Sequence, residues 1–205
     1  MLKSKLLALL SVLILGTAAA HADPISGYFS AVGTNQFTSS TITFDWGAVA
    51  GAMGGDFQTY LNQGTAINFM SGALPYTQGM NNPVPGGMVP LFTINGTGGE
   101  VFTFMMTSYS ASYITNGSSS CGAGSICLNA TGNGYFTGAG PLTGQSGDAV
   151  FTFTSQYSPQ NQANDITTFS ASSSATAPTP EPESLALVGS GLLAIAGFAR
   201  RRFNV

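Results

Sequence analysis

The sequence predicts an all-β protein, an antiparallel β-sandwich or open barrel, flanked by an N-terminal signal peptide and a C-terminal short hydrophobic helix. Three observations point there. Apolar residues alternate with period two in several segments, the pattern of half-buried strands. Gly/Asn-rich turn signals separate those segments. Strong helix formers are scarce: only 6% of the 205 residues are charged, and 27 are glycine.

The elements follow in chain order. Residues 1–22 read as the signal peptide. Lys3 and Lys5 form a positive start, residues 6–15 (LLALLSVLIL) an apolar stretch, and Ala20-His21-Ala22 a small-x-small site for signal peptidase. Cleavage between Ala22 and Asp23 is expected, with cleavage after Ala20 as the rival. The apolar stretch is too short to span a bilayer, which needs about 20 residues.

Residues 23–169 form the expected β-domain, roughly 150 residues and enough for one core. In TITFDW, Ile42, Phe44 and Trp46 share one face, so Trp46 is expected to be buried. VFTFMMTSY alternates from Val101, and AVFTFTSQY from Ala149. Residues 91–95, 126–129 and 135–137 are shorter candidates. Turns are expected at 95–100, 116–120, 132–134 and 144–148, and an irregular Pro-rich loop at 79–90. GDFQTYLNQG allows one short helix, with Asp56 as N-cap, Phe57, Tyr60 and Leu61 on one face, and Gly64 as the stop. VFTF occurs twice, but the intervening segments do not recur, so it is read as shared β-propensity.

Residues 170–183 (SASSSATAPTPEPE) hold no large apolar side chain and read as an extended Ser/Thr/Pro linker. Residues 184–199 then give an uncharged run from Leu185, and Arg200, Arg201 and Arg202 follow within a short basic tail, 200–205. The arginines favour a cytoplasmic end. Fifteen helical residues reach about 22 Å, short of a hydrocarbon core of about 30 Å. The span is a marginal transmembrane helix, suited to transient anchoring.

Charge and composition exclude several functions. No Lys or Arg lies between Leu6 and Ala199, the single histidine is His21, and the formal net charge is −3. Phosphate neutralisation has no cations to work with, so no nucleic-acid partner is expected. A P-loop lysine or arginine clamp is missing too. After cleavage at Ala22 no imidazole or amine remains as a general base, so catalytic residues and metal ligands are expected to be none, no cofactor is expected, and the protein is read as a non-enzyme.

The acids Asp23, Asp45, Asp56, Glu100, Asp148, Asp165, Glu181 and Glu183 are widely spaced. A carboxylate-only glycoside hydrolase is therefore a distant reading. Asp56, Asp148 and Asp165 sit in or near turn-rich segments. They are read as solvated turn acids rather than calcium ligands, since no known calcium-loop spacing occurs. Cys121 and Cys127 are the only cysteines, and export makes a disulfide between them the expected state. Trp46, Tyr60, Tyr76, Tyr109, Tyr113, Tyr135 and Tyr157 are candidate sugar-stacking aromatics, although alternating strand aromatics are more often core.

Pro180-Glu181-Pro182, the short apolar run with small residues and the terminal arginines together resemble the tripartite PEP-CTERM sorting signal. The resemblance implies a substrate of exosortase, a membrane cysteine protease-transpeptidase of Gram-negative bacteria that also make exopolysaccharide. It assigns recognition to Pro180, Glu181 and Pro182 and the basic cluster to Arg200, Arg201 and Arg202. GDF at 55–57, CLNATGNGYFTGAG at 127–140 and DAVFTFTSQ at 148–156 are similar to the β-domain of many short PEP-CTERM proteins, for which no activity follows.

The expected protein is thus exported through the inner membrane, held briefly by its C-terminal helix, and then placed at the cell surface or outside the cell. Its expected role is structural or adhesive in a biofilm or exopolysaccharide layer, with a carbohydrate-binding module as the alternative. The partners implied are signal peptidase, exosortase, the membrane and exopolysaccharide.

Overall fold

The computed structural model describes residues 24–115, 121–157, 167–177 and 191–192. Ten strands and one short helix account for most of them: β1 Gly27–Phe37, β2 Thr41–Gly55, α1 Asp56–Tyr60, β3 Ala66–Phe69, β4 Leu74–Pro75, β5 Asn81–Pro83, β6 Val89–Asn95, β7 Val101–Thr115, β8 Ile126–Ala139, β9 Ser146–Tyr157 and β10 Thr167–Thr176.

All pairings are antiparallel. Around the sheet the order is β1, β10, β9, β8, β7, β6, β3, β2, and β2 pairs back onto β1. Eight strands thus close a ring in which neighbours in space follow one another in the chain, an up-and-down barrel. The expectation of an antiparallel all-β domain holds. The ring is closed, however, where a two-sheet sandwich or an open barrel was expected.

Eight strands leave an interior just wide enough for side chains. Here phenylalanines fill it in layers. Phe57 of α1 lies among Phe29, Phe102 and Phe136 at ring distances of 5.0–5.1 Å and plugs one end, the floor. Phe92 holds the middle, with Phe151 at 5.1 Å and Phe104 at 5.4 Å. Above it Phe44 stacks on Phe69 at 4.4 Å and meets the edges of Phe153 and Phe169. Phe37 caps this stack beside Tyr113 and Tyr157. The two VFTF segments enter from β7 and β9, each sending both phenylalanines inward.

Small residues on β10 make room for these rings. On β10 the inward positions include Ala171, Ser173 and Ala175, all buried, while Ser170, Ser172, Ser174 and Thr176 face out. Residues 170–176, read as the start of a linker, therefore belong to β10, a barrel strand between β9 and β1. The same demand explains β8. Residues 132–134 were expected to turn, yet β8 runs straight through them. A side chain on Gly134 would lie 2.0 Å from the Met105 carbonyl oxygen, and one on Gly132 would press on Met106. These glycines allow a close backbone approach at the β7 bulge rather than ending the strand.

Towards the upper end β3 and β6 stop short, and β4 and β5 pair with β2 and β7 instead. Part of the stretch 79–90, expected to be irregular, thus becomes β5. Asn82 closes the seam between β4 and β5. Its amide carbonyl accepts from the Thr77 N–H at 2.8 Å, and its NH2 donates to the carbonyls of Met80, Thr77 and Tyr109. Tyr76 and Tyr109 donate their hydroxyls to the Thr38 and Pro75 carbonyls.

Asn35, Ser155 and Thr167 form a buried polar knot at the same end. The Ser155 and Thr167 hydroxyls reach Asn35 Oδ1 at 2.7 and 2.8 Å, and Asn35 Nδ2 has no partner. With the amide turned by 180°, its NH2 would donate to both hydroxyls, freeing these for the Thr168 and Asn35 carbonyls. A buried amide oxygen then stays unpaired, which costs less than a buried NH2 group.

Candidate functional site

Where the barrel faces solvent, the antiparallel register lines up outward side chains into rows that cross the strands. One row reads Ser110, Thr131, Thr152, Ser172 from β7 to β10 and continues to Ser30 on β1. The next reads Ser112, Asn129, Thr154, Ser170, and a third Ser108, Asn133, Val150, Ser174. On the far side Ser146, Thr137, Thr103, Thr93 and Asn68 form another. Successive members are about 4.8 Å apart, the strand spacing. Such side chains leave shallow depressions between rows. One, about 470 Å³, lies over Asn129, Thr154, Gln156, Thr168 and Ser170. A second, about 330 Å³, lies between Tyr28, Ala52, Thr152 and Ser172. An outer-membrane barrel has an apolar outer band and a polar lumen; this barrel has the reverse.

The tyrosines singled out in the sequence do not form an exposed row. Tyr76 and Tyr109 are buried, and Tyr60, Tyr113, Tyr135 and Tyr157 are only partly exposed. Burial pushes the Tyr76 hydroxyl up to about 12, with a smaller push from Tyr113, and burial raises Tyr109 as well.

Trp46 departs from the expectation of burial and is 53% exposed. The cause is a bulge. Thr34 pairs with Trp46 and Asn35 with Phe44, so Asp45 is an extra residue in β2. One inserted residue reverses the facing of everything beyond it. Ile42 and Phe44 point inward and Trp46 outward. A period-two reading cannot see such a bulge, because it assumes an unbroken ladder.

Tyr28, 54% exposed, was not singled out in the sequence. It faces out from β1, and its ring lies over Gly54, where any side chain would strike Tyr28 Cε1 at 2.4 Å. Glycine at 54 therefore lets the ring lie flat and show one face to solvent. The signal was there as a strand aromatic opposite a Gly-Gly pair, but β1 itself was not recognised.

The acids are dispersed. Asp45 sits in the β2 bulge, Glu100 in the turn before β7 and Asp148 on β9. Asp56 is the first residue of α1, not its N-cap, which is Gly55. Its carboxylate accepts from the Ser26 N–H at 2.7 Å and ties the floor helix to the start of β1. Among the described residues no group of three or more His, Cys, Asp or Glu could hold a metal ion. Asp165 lies outside the described residues.

Cys121 and Cys127 form a disulfide. It folds residues 121–127 against the outer wall of β8 and β9, where Gln156 Nε2 donates to Ser125 Oγ at 2.8 Å.

Ala22 and Asp23, Pro180 to Pro182 and Arg200 to Arg202 lie outside the described residues, as does nearly all of 184–199. Among the described residues no helix is long and apolar enough to cross a membrane.

No curated protein and no solved structure matches the chain. Residues 178–202, which include Pro180, Glu181, Pro182, Arg200, Arg201 and Arg202, match the PEP-CTERM protein-sorting motif. The match begins two residues after β10 ends, so the sorting signal follows directly on the strand that closes the barrel. The chain is thus a carrier of the PEP-CTERM protein-sorting motif, which marks it for export and exosortase processing toward the cell surface or extracellular space.

Proposed function

We propose that the barrel is a structural or adhesive component of an extracellular polysaccharide layer, acting by contact and without turnover. The observation that supports this best is the outer wall of β7 to β10. It offers rows of hydroxyl and amide groups, and no lysine or arginine occurs anywhere between residues 6 and 199. Such a wall exchanges hydrogen bonds with a polyhydroxylated polymer and has no cations to draw in nucleic acid. The sorting motif supplies the route to that location.

The test is retention. Cells producing the protein are fractionated into matrix polymer and free medium. Retention in the polymer should resist high salt and yield to enzymatic digestion of the polysaccharide. A Thr131→Glu/Thr152→Glu/Ser172→Glu variant, folded by circular dichroism, should move into the free medium. Unchanged retention of that variant would overturn the assignment to the wall.

Exposed Trp46 favours a second reading, a carbohydrate-binding module with a defined glycan site. It predicts saturable binding, where the first reading needs only many weak contacts.

A further inference from the structure

We propose that the trough between Tyr28 and Trp46 is a glycan-binding site for an extended, uncharged polysaccharide chain. This inference rests on the extracellular-polysaccharide reading above and names the ligand class and the place. Tyr28 and Thr34 are six residues apart on β1, about 20 Å along the strand, and Trp46 is paired beside Thr34 on β2. The two exposed rings therefore stand at opposite ends of one stretch of wall. Between them the solvent-facing residues are small, Ser30, Val32 and Thr34 on β1 and Ala52 on β2, while Ala48, paired with Val32, is buried. Ser30 is itself fixed, its Oγ accepting from the Ala52 N–H where β2 bulges away. The trough is thus this stretch of small residues with an exposed ring at each end, beside the hydroxyl rows of β10 and β9.

Charge and topology select the occupant. Exposed Asp45 adjoins Trp46, and no lysine or arginine occurs among the described residues, so a polyanion is repelled. Strand β1 is paired along both edges over this stretch, so an extended peptide has no ladder to join on it. A lipid surface would need a continuous apolar patch, and hydroxyls interrupt this one. A neutral sugar chain offers apolar ring faces for Tyr28 and Trp46 and hydroxyls for the groups between. The distance between the rings requires several linked sugars to engage both.

Trp46 is the only tryptophan, so its fluorescence reports on the site without a label. The purified full chain is titrated with neutral β-glucan oligosaccharides of increasing length and with a polyuronate as the charged comparison. The expected result is a saturable change in Trp46 emission with the neutral series, growing tighter until the oligosaccharide spans both rings. Tyr28→Ala should weaken the longest ligand about tenfold and leave the shortest unchanged, as loss of one aromatic contact requires. The Tyr28→Ala baseline spectrum and melting curve show whether the fold is kept, and Tyr28→Phe should bind like the parent.

Absence of saturation with every neutral oligosaccharide would overturn the proposal, as would length-independent affinity or stronger binding of the polyuronate. If matrix retention persists while these titrations fail, the trough is refuted and the broader reading stands. If both fail, the broader reading falls with it.

Discussion

Replacing Phe57 with alanine tests whether a five-residue helix closes the barrel floor. A helix that short has no stability of its own; α1 stays in place because Phe57 is fully buried against Phe29, Phe102 and Phe136, with Asp56 tied to Ser26. Buried Phe→Ala changes cost about 3–5 kcal/mol, including the cavity left behind. Three rings of the barrel wall line that cavity and cannot collapse into it, so the upper half of the range applies, about 4 kcal/mol. With a urea m-value of about 2 kcal/mol/M, the unfolding midpoint should fall by about 2 M. The melting temperature should fall by about 12 °C for a domain of this size. Phe57→Leu keeps most of the buried volume and should cost less than half as much. Met70→Ala, at an exposed site, should stay within about 0.5 kcal/mol. A midpoint shift below about 0.5 M for Phe57→Ala would refute the plug.

Three further outcomes follow from the same structure. Ser173→Glu places a carboxylate inside β10, where Ser173 is buried and bonds the Val150 carbonyl, and should destabilise by about 3 kcal/mol or more in denaturant unfolding; Ser172→Glu, one residue away and exposed, should cost no more than about 0.5 kcal/mol. Removing the disulfide by Cys121→Ser/Cys127→Ser should cost about 2 kcal/mol, the loop-closure value for so short a ring, and make the melting temperature insensitive to reductant. Tyr76 is held neutral in the fold up to about pH 12, while in the unfolded chain it ionises near 10, so the unfolded state binds fewer protons above pH 10 and stability falls from there towards 12; Tyr76→Phe should show a shallower alkaline decline in pH-dependent unfolding, and an identical slope would count against this origin.

Much of the strand content was legible because Phe102, Phe104, Phe151 and Phe153 alternate with polar residues, and such alternation is a local property. The misread segments share one cause. β10 follows Phe169 with Ala171, Ser173 and Ala175 at its inward positions, and β1 carries Ala31, Gly33 and Asn35 between Phe29 and Phe37, so neither shows an unbroken apolar face. Their inward side chains are small because rings from other strands already occupy the lumen. A side chain on Gly33, for example, would meet the Phe169 ring at 2.6 Å. The volume available at one position is fixed by residues far away in the chain, and no short window contains it. The same holds for Trp46, whose exposure is set by a bulge against β1. The sorting motif at residues 178–202 was legible, since a linear signal is contained in a short window.

Closure of the barrel also bears on how this protein can persist outside the cell. No ATP-driven chaperone operates there, and local concentrations in a secreted layer are high. Exposed β-edges under such conditions seed fibrils. Among the described residues every ring strand is paired along at least part of both edges, and the strands that stand off the ring, β4 and β5, are only two and three residues long, too short to template growth. The molecule can therefore accumulate densely and still remain a population of separate, folded units.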